Sequence, residues 1–177
     1  ALVGGSKIST KLDLLNNLVT KIDTLALGGG MANTFLHAIG TPVGKSLCER
    51  EMAPQALAII ATARLRNCKI ILPVDGVVAR ELKPGVQTET VGVDMIPADG
   101  MVLDIGRGSV AVIADELRKA KTVLWNGPLG AFEIPPFDAG TTALAKVVAD
   151  LTAQGKLLSV AGGGDTVSAL AHAGVEE

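Results

Sequence analysis

Several apolar runs in the chain end in glycines that are followed at once by residues able to handle phosphate charge. "GGGDT", Gly162 to Thr166, places three glycines before a carboxylate and a hydroxyl, and "GGSKISTK", Gly4 to Lys11, places two before a pair of lysines. "GGGMANTF" (Gly28 to Phe35), "LDIGRGS" (Leu103 to Ser109) and "WNGPLGAFE" (Trp125 to Glu133) repeat the theme. Glycine lets a ligand approach the backbone closely and permits positive φ, while the free N–H groups of a following helix attract anions. One such loop is weak evidence, because turns after strands use glycine on steric grounds alone. Five together point to a phosphate-bearing ligand.

Two details sharpen that chemistry. Asp165 and Thr166 are ordinary helix caps, a role contributing about 1 kcal/mol. An aspartate beside a phosphate cradle would nevertheless repel its ligand, and magnesium, which binds through one or two carboxylates plus phosphate oxygens, removes the conflict. Asp165 is therefore read as a metal carboxylate in preference to a cap. Lys7 and Lys11, four apart, are expected to span a turn into a helix with both ammonium groups on one edge. Cations near a helix N-terminus are mildly unfavourable, by a few tenths of a kcal/mol (about 0.3), so an anionic ligand is expected to offset them.

These loops act jointly only if the fold brings them together. Short apolar runs recur at Ala1–Val3, Thr24–Leu27, Ile70–Val74, Met101–Leu103, Thr122–Trp125 and Leu157–Ala161. They are too short for helices and mostly lack polar alternation, as strands covered on both faces do. Helical stripes lie between several of them: Leu15, Leu18, Val19 and Ile22; Val110, Ile113, Ala114 and Leu117; Leu144, Val147, Val148 and Leu151. The alanine-rich segment carrying Ala53, Ala56, Leu57, Ile60 and Ala61 adds another. The alternation predicts one α/β domain in three layers, a mostly parallel sheet of about six strands with helices on both faces. Shorter pieces from Val77 to Val93, about a turn at Lys83 to Gly85, predict a small antiparallel excursion. The carboxyl ends of parallel strands share one edge, where open α/β folds bind ligands.

A chain of 177 residues that is 48% apolar can bury one core. It has no apolar run long enough for a membrane span, a signal peptide is not expected, and a formal charge of -2 offers no footprint for nucleic acid. Cys48 and Cys68 show no metal spacing and are expected to be free thiols in a reducing compartment, with the cytoplasm as default. "ALVGG" reads as the tail of a buried strand, so the chain is expected to be cut from something longer.

Other features carry less. "GTPVGKS", Gly40 to Ser46, has three residues between its glycines where a P-loop needs four, and it follows a helix. Asn33 stands where a dinucleotide fingerprint needs its third glycine, which disfavours a nicotinamide oxidoreductase. His37 and His172 have no evident partner, so surface or helix-end roles are expected. Trp125 is read as core, and Asp75 and Asp104 as turn or capping residues.

"GGSKISTKLDLLNNL", "LALGGGMANTFL", "LPVD", "LDIG", "WNGPLGAFE" and "GGGDTVSAL", in this order, closely resemble the C-terminal, nucleotide-binding half of phosphoglycerate kinases. The resemblance implies a Rossmann-like domain over residues 1–177 of a two-domain kinase, truncated at both ends, with ATP or ADP and Mg2+ as ligands. It implies phosphoryl transfer between 1,3-bisphosphoglycerate and MgADP, giving 3-phosphoglycerate and MgATP, in a cytoplasmic monomer. Lys7 would steady the transferring phosphoryl group, with the backbone of Gly163 and Gly164 also contributing. Lys11, Asn126, Gly163, Gly164 and Thr166 would hold nucleotide phosphates, and Asp165 the magnesium. Glu133 would take the ribose, and Gly28, Gly29, Leu47, Leu103 and Ala131 would form the adenine slot. Arg107 departs from the proline usual after "DIG". Alone, the chain is expected to bind nucleotide but scarcely turn over; the alternative is a non-catalytic nucleotide-binding or interaction module on the same scaffold.

Overall fold

The computed structural model describes residues 1–175. Its elements are β1 (Leu2–Val3), α1 (Leu12–Leu18), β2 (Thr24–Leu27), α2 (Gly29–Ala38), α3 (Ala53–Leu65), β3 (Lys69–Ile71), β4 (Asp75–Ala79), β5 (Glu89–Gly92), β6 (Met101–Ile105), α4 (Arg107–Lys119), β7 (Thr122–Asn126), α5 (Ala139–Ala153), β8 (Leu158–Gly162) and α6 (Gly164–Ala173). A five-stranded sheet runs β3-β2-β1-β7-β8, every pairing parallel, and a three-stranded antiparallel sheet runs β5-β4-β6.

The period of two along each strand divides the core. Leu2, Ala26, Val123 and Trp125 face one layer, packed with Ile113, Ala114 and Leu117 of α4 and Leu144, Ala145 and Val148 of α5. Val3, Leu25 and Leu27 face the other, packed with Leu15 and Leu18 of α1, Met31 and Phe35 of α2, and Ile59 of α3. The stripes read from sequence on α1, α4 and α5 fill these layers, whereas on α3 the buried face is Ala56, Ile59 and Ala63, and Leu57 and Ala61, expected to be inside, are exposed. Each large aliphatic side chain buried this way contributes about 1.5–3 kcal/mol.

Three expectations are revised. The strand at Met101 lies in the antiparallel sheet, paired with β4, so the excursion takes three strands and the parallel sheet keeps five. Leu158 and Val160, expected to be covered, are 65% and 51% exposed, because β8 borders a single neighbour at the sheet's edge. Lys7 and Lys11 do not share a helical turn: α1 starts after Lys11, and Lys7 sits in the preceding turn.

The connections fix where a ligand can enter. From β1 the chain moves through β2 to β3 on one side, then returns to place β7 and β8 on the other. Beyond the carboxyl ends of β1 and β7 the two sets of crossovers part, which opens a crevice at the sheet's switch point.

Candidate functional site

A cleft of ≈ 540 Å³ opens at that crevice, lined among others by Gly5, Gly29, Gly30, Leu47, Leu103, Leu129, Gly130, Ala131, Glu133 and Asp165. Its floor is knitted from the loops after β1, β2 and β7. Gly4 donates to Asn126 O at 2.9 Å, Gly28 to Val3 O at 3.1 Å, Gly29 to Leu129 O at 3.2 Å and Met31 to Gly5 O at 3.0 Å. Gly29 is held at φ +71, and a Cβ there would come within 2.5 Å of Gly5 O. The glycine is thus required by a left-handed backbone and by a neighbouring loop.

Lys11 bends back from the start of α1 into this floor. Its Nζ donates to Gly4 O at 2.6 Å and to Asn126 O at 3.3 Å. Desolvation lowers the Lys11 pKa, and the nearby charge of Asp165 works against that. The ammonium therefore binds two strand ends together while it brings positive charge to the edge where Asp165 stands. Asn126 donates from Nδ2 to Gly162 O at 3.0 Å, tying β7 to the end of β8. The hydroxyl oxygen of Thr166, a buried residue, accepts Gly127 N–H at 2.6 Å. Both residues thus brace the loops from within.

At the entrance to α6 the N-cap residue is Gly163, at φ 96, and no side chain caps the helix. Asp165 is exposed in the first turn. An uncapping carboxylate beside a lysine and a row of glycines suits a magnesium ion held mainly by phosphate oxygens and one protein ligand. No group of three or more His, Cys, Asp or Glu converges to hold a metal among the described residues, so the donor set does not suit a metal caged by protein alone.

Of the residues predicted from sequence, Gly29, Leu47, Leu103, Ala131, Glu133 and Asp165 line the cleft. Gly28, Lys11, Asn126 and Thr166 support its floor or its α6 side. Gly163 and Gly164 open α6 at the same edge, and Lys7 is exposed in the β1–α1 turn. Glu49 supports that turn, its two carboxylate oxygens accepting Ser9 N–H at 3.1 Å and Ser9 Oγ–H at 2.7 Å. Burial pushes its carboxyl upward, but the Ser9 hydrogen bonds, an amide of Ile8 and the charge of Lys7 hold it below its usual value.

Several of these supports were not evident from sequence. Asn33, whose spacing merely breaks the dinucleotide fingerprint, is buried and donates from Nδ2 to Leu47 O at 3.1 Å, fixing the residue that overhangs the cleft. The P-loop lookalike is docked through Ser46, whose hydroxyl oxygen accepts Val102 N–H at 2.8 Å. Both roles come from contacts between distant segments, which no local pattern encodes. His172, expected to lack a partner, sits 2.8 Å from Asp138 Oδ2, because α6 packs beside the start of α5. Trp125 is core, as read, and donates its indole N–H to Gly127 O at 2.8 Å. Asp75 caps from a distance, accepting Gly108 N–H at 2.8 Å and Ser109 N–H at 2.9 Å at the start of α4. Arg107 is the first residue of α4, a position whose N–H needs no helical partner, so arginine and proline both fit there.

The fold and the site define an open α/β domain with a glycine-floored crevice at its switch point. The sequence profile for "Phosphoglycerate kinase" matches residues 1–177, and the chain belongs to that family. It is 60% identical over its whole length to the phosphoglycerate kinase of Methylorubrum extorquens (strain PA1) and 61% identical to that of Rhizobium leguminosarum bv. trifolii (strain WSM2304). In each case it spans 44% of the relative, less than half its length. The solved structure of phosphoglycerate kinase from Coxiella burnetii superposes with a TM-score of 0.93 at 42% identity, covering 98% of this chain and 44% of that one. The enzyme from Pyrococcus horikoshii OT3, at 24% identity and a TM-score of 0.74, shares the fold.

Proposed function

We propose that residues 1–177 form the nucleotide-binding domain of a two-domain kinase that transfers a phosphoryl group between 1,3-bisphosphoglycerate and MgADP. The observation that carries this reading is the convergence of the loops after β1, β2, β7 and β8 on one rim, with Asp165 lining the cleft and its negative charge opposing the desolvation of Lys11. In the forward direction a β-phosphate oxygen of ADP bonds to the acyl phosphorus while the bond to the acyl oxygen breaks, leaving a carboxylate and ATP. Such a transfer needs positioning and charge neutralisation more than covalent participation by the protein.

The chain's own residues divide that work. Leu47, Leu103, Leu129 and Ala131 supply an apolar slot for the base, and Glu133 at its exposed end takes the ribose hydroxyls. Amides at the start of α6, with Lys11 and Asn126, take the phosphates, and Asp165 holds magnesium, which screens phosphate charge when bound. Lys7, on an exposed turn fixed by Glu49 and Ser9, is free to follow the phosphoryl group during transfer. On the same reading the sugar-acid substrate is held by the enzyme's other domain, and the protein acts as a cytoplasmic monomer with no nucleic-acid or membrane partner. Among the described residues no helix is long and apolar enough to cross a membrane.

Titration of the folded chain with MgADP tests the reading. The amide signals of Gly29, Asn126 and Asp165 should move together and saturate; a folded sample in which none of them moves would remove it.

A further inference from the structure

Asp104 is a charged residue in the core that the proposed chemistry does not use. It lies on β6 and is 2% exposed. Its Oδ1 accepts Ile105 N–H at 2.9 Å, and its Oδ2 accepts Gly140 N–H, in the first turn of α5, at 2.9 Å. Asp138, at the N-cap position of α5, makes no cap of its own and holds His172 instead. A carboxylate from a different element thus caps α5.

The turn that walls the cleft closes over this carboxylate. A Cβ on Gly130 would overlap Asp104 Oδ1, and one on Gly140 would come within 2.7 Å of the same atom. Ala131 N–H donates to the carbonyl of Leu103, next to Asp104, at 2.8 Å. Thr141, beside Gly140, accepts Leu129 N–H on its hydroxyl at 3.0 Å, and Leu129 O in turn accepts Gly29 N–H at 3.2 Å. The first turn of α5 therefore carries both the Leu129–Ala131 wall and, through Leu129, the glycine floor.

We propose that Asp104 is a positioning residue for the cleft: its carboxylate fixes the first turn of α5, and its ionisation sets how firmly the Leu129–Ala131 wall is held against the base of a bound nucleotide. The base is assigned by the functional reading above; the wall and its anchor are not.

The electrostatics make that ionisation accessible. Burial raises the Asp104 carboxyl to about 7, the amides of Gly140 and Ile105 oppose the rise, and the like charge of Asp138 adds to it. On the other elements packed here, Asp75 of β4 is engaged by Ser109 and His37 of α2 by Arg50, while Glu133 of the wall and Lys146 and Asp150 of α5 are exposed. Protonation turns one of the two oxygens from an acceptor into a donor that faces the N–H it had accepted, so that hydrogen bond weakens.

The test compares the full-length protein with its Asp104→Asn variant by MgADP calorimetry from pH 5.5 to 8.5, taking the affinity ratio at each pH so that titration of ADP cancels. The variant should bind roughly 3- to 10-fold more weakly at pH 8.5, the equivalent of one hydrogen bond, and match the parent below about pH 6. A ratio that is constant with pH, whether near one or not, overturns the proposal. If the parent binds no nucleotide, the functional reading fails, and amide shifts of ligand-free protein decide the present point. Gly130, Ala131 and Gly140 should titrate together with a midpoint near pH 7 in the parent; shifts that stay flat through that range overturn the anchor. That second measurement needs no variant, so it also stands if Asp104→Asn does not fold.

Discussion

Replacing Thr166 with valine tests whether the α6 entrance is braced by its hydroxyl. The hydroxyl oxygen takes the Gly127 N–H at 2.6 Å inside the protein, where water cannot replace it. Valine keeps the volume of threonine, so no cavity opens and the change isolates the lost acceptor. A buried N–H left without a partner costs about 1–3 kcal/mol. For a chain of this size that corresponds to a fall in melting temperature of roughly 2–12 °C. Trp125 is a local reporter, being the only tryptophan, buried, and bonded through its indole to the carbonyl of that same Gly127. Urea denaturation of the chain followed by its fluorescence should give the stability loss, and hydrogen exchange at Gly127 its location. Thr166→Ser keeps the acceptor and should keep Gly127 protected, losing only the transfer free energy of a methyl group, about 0.8 kcal/mol. A valine variant within about 0.5 kcal/mol of the parent, its Gly127 amide as slow to exchange as before, would show that the hydroxyl is not the brace.

Further outcomes follow from the same geometry. On the proposed function, Lys7→Ala in the full-length protein should lower turnover far more than nucleotide affinity, as steady-state kinetics beside calorimetry would show; equal losses would assign Lys7 to ground-state binding. Burial pushes the Asp75 carboxyl upward, but the Ser109 hydroxyl and the amides of Ser109, Gly108 and Gly106 hold it below its ordinary value of 3.8. Its contribution to stability is therefore present above pH 3.8 and lost as pH falls through the lower folded value. Asp75→Asn should be less stable than the parent at pH 7 and converge with it in acid, measured by thermal melts against pH; a gap that does not narrow would deny the linkage. Asp104 has the opposite sign: with its carboxyl raised from 3.8 to about 7, its contribution is fully present below pH 3.8, is lost as pH rises from there through about 7, and is gone above that.

The parts of the fold that follow from short-range chemistry were legible in the chain. The stripe of Val110, Ile113, Ala114 and Leu117 is the buried side of α4, and the runs at Thr24 and Thr122 are β2 and β7, because helix and strand periods depend only on near neighbours. The partner of each strand was not encoded in that way. "MVLDI" has the same apolar look as the runs of the parallel sheet, yet it pairs antiparallel with β4. Its partner arrives from more than twenty residues upstream, and local propensity does not register that distance.

The site divides along the same line. Residues at the ends of strands announced themselves, since glycine beside lysine or aspartate is informative within a few positions. Those that hold the loops in place did not: Glu49 grips Ser9 from 40 residues away, Asp104 caps a helix 36 residues later, and Asp75 caps another 34 residues on. Position at a strand end marks Asp75 and Asp104 as turn or capping residues, but the helices they cap, α4 and α5, start far from them in sequence. The two caps also leave different signatures. Asp75, half-exposed and receiving a hydroxyl as well as amides, is held as the anion, whereas Asp104, enclosed with two amides and a neighbouring negative charge, is driven toward neutrality. Similar letters at similar strand ends therefore give one carboxyl held low by its donors and one pushed up to about 7 by burial, and the difference lies in how much water each retains rather than in any motif.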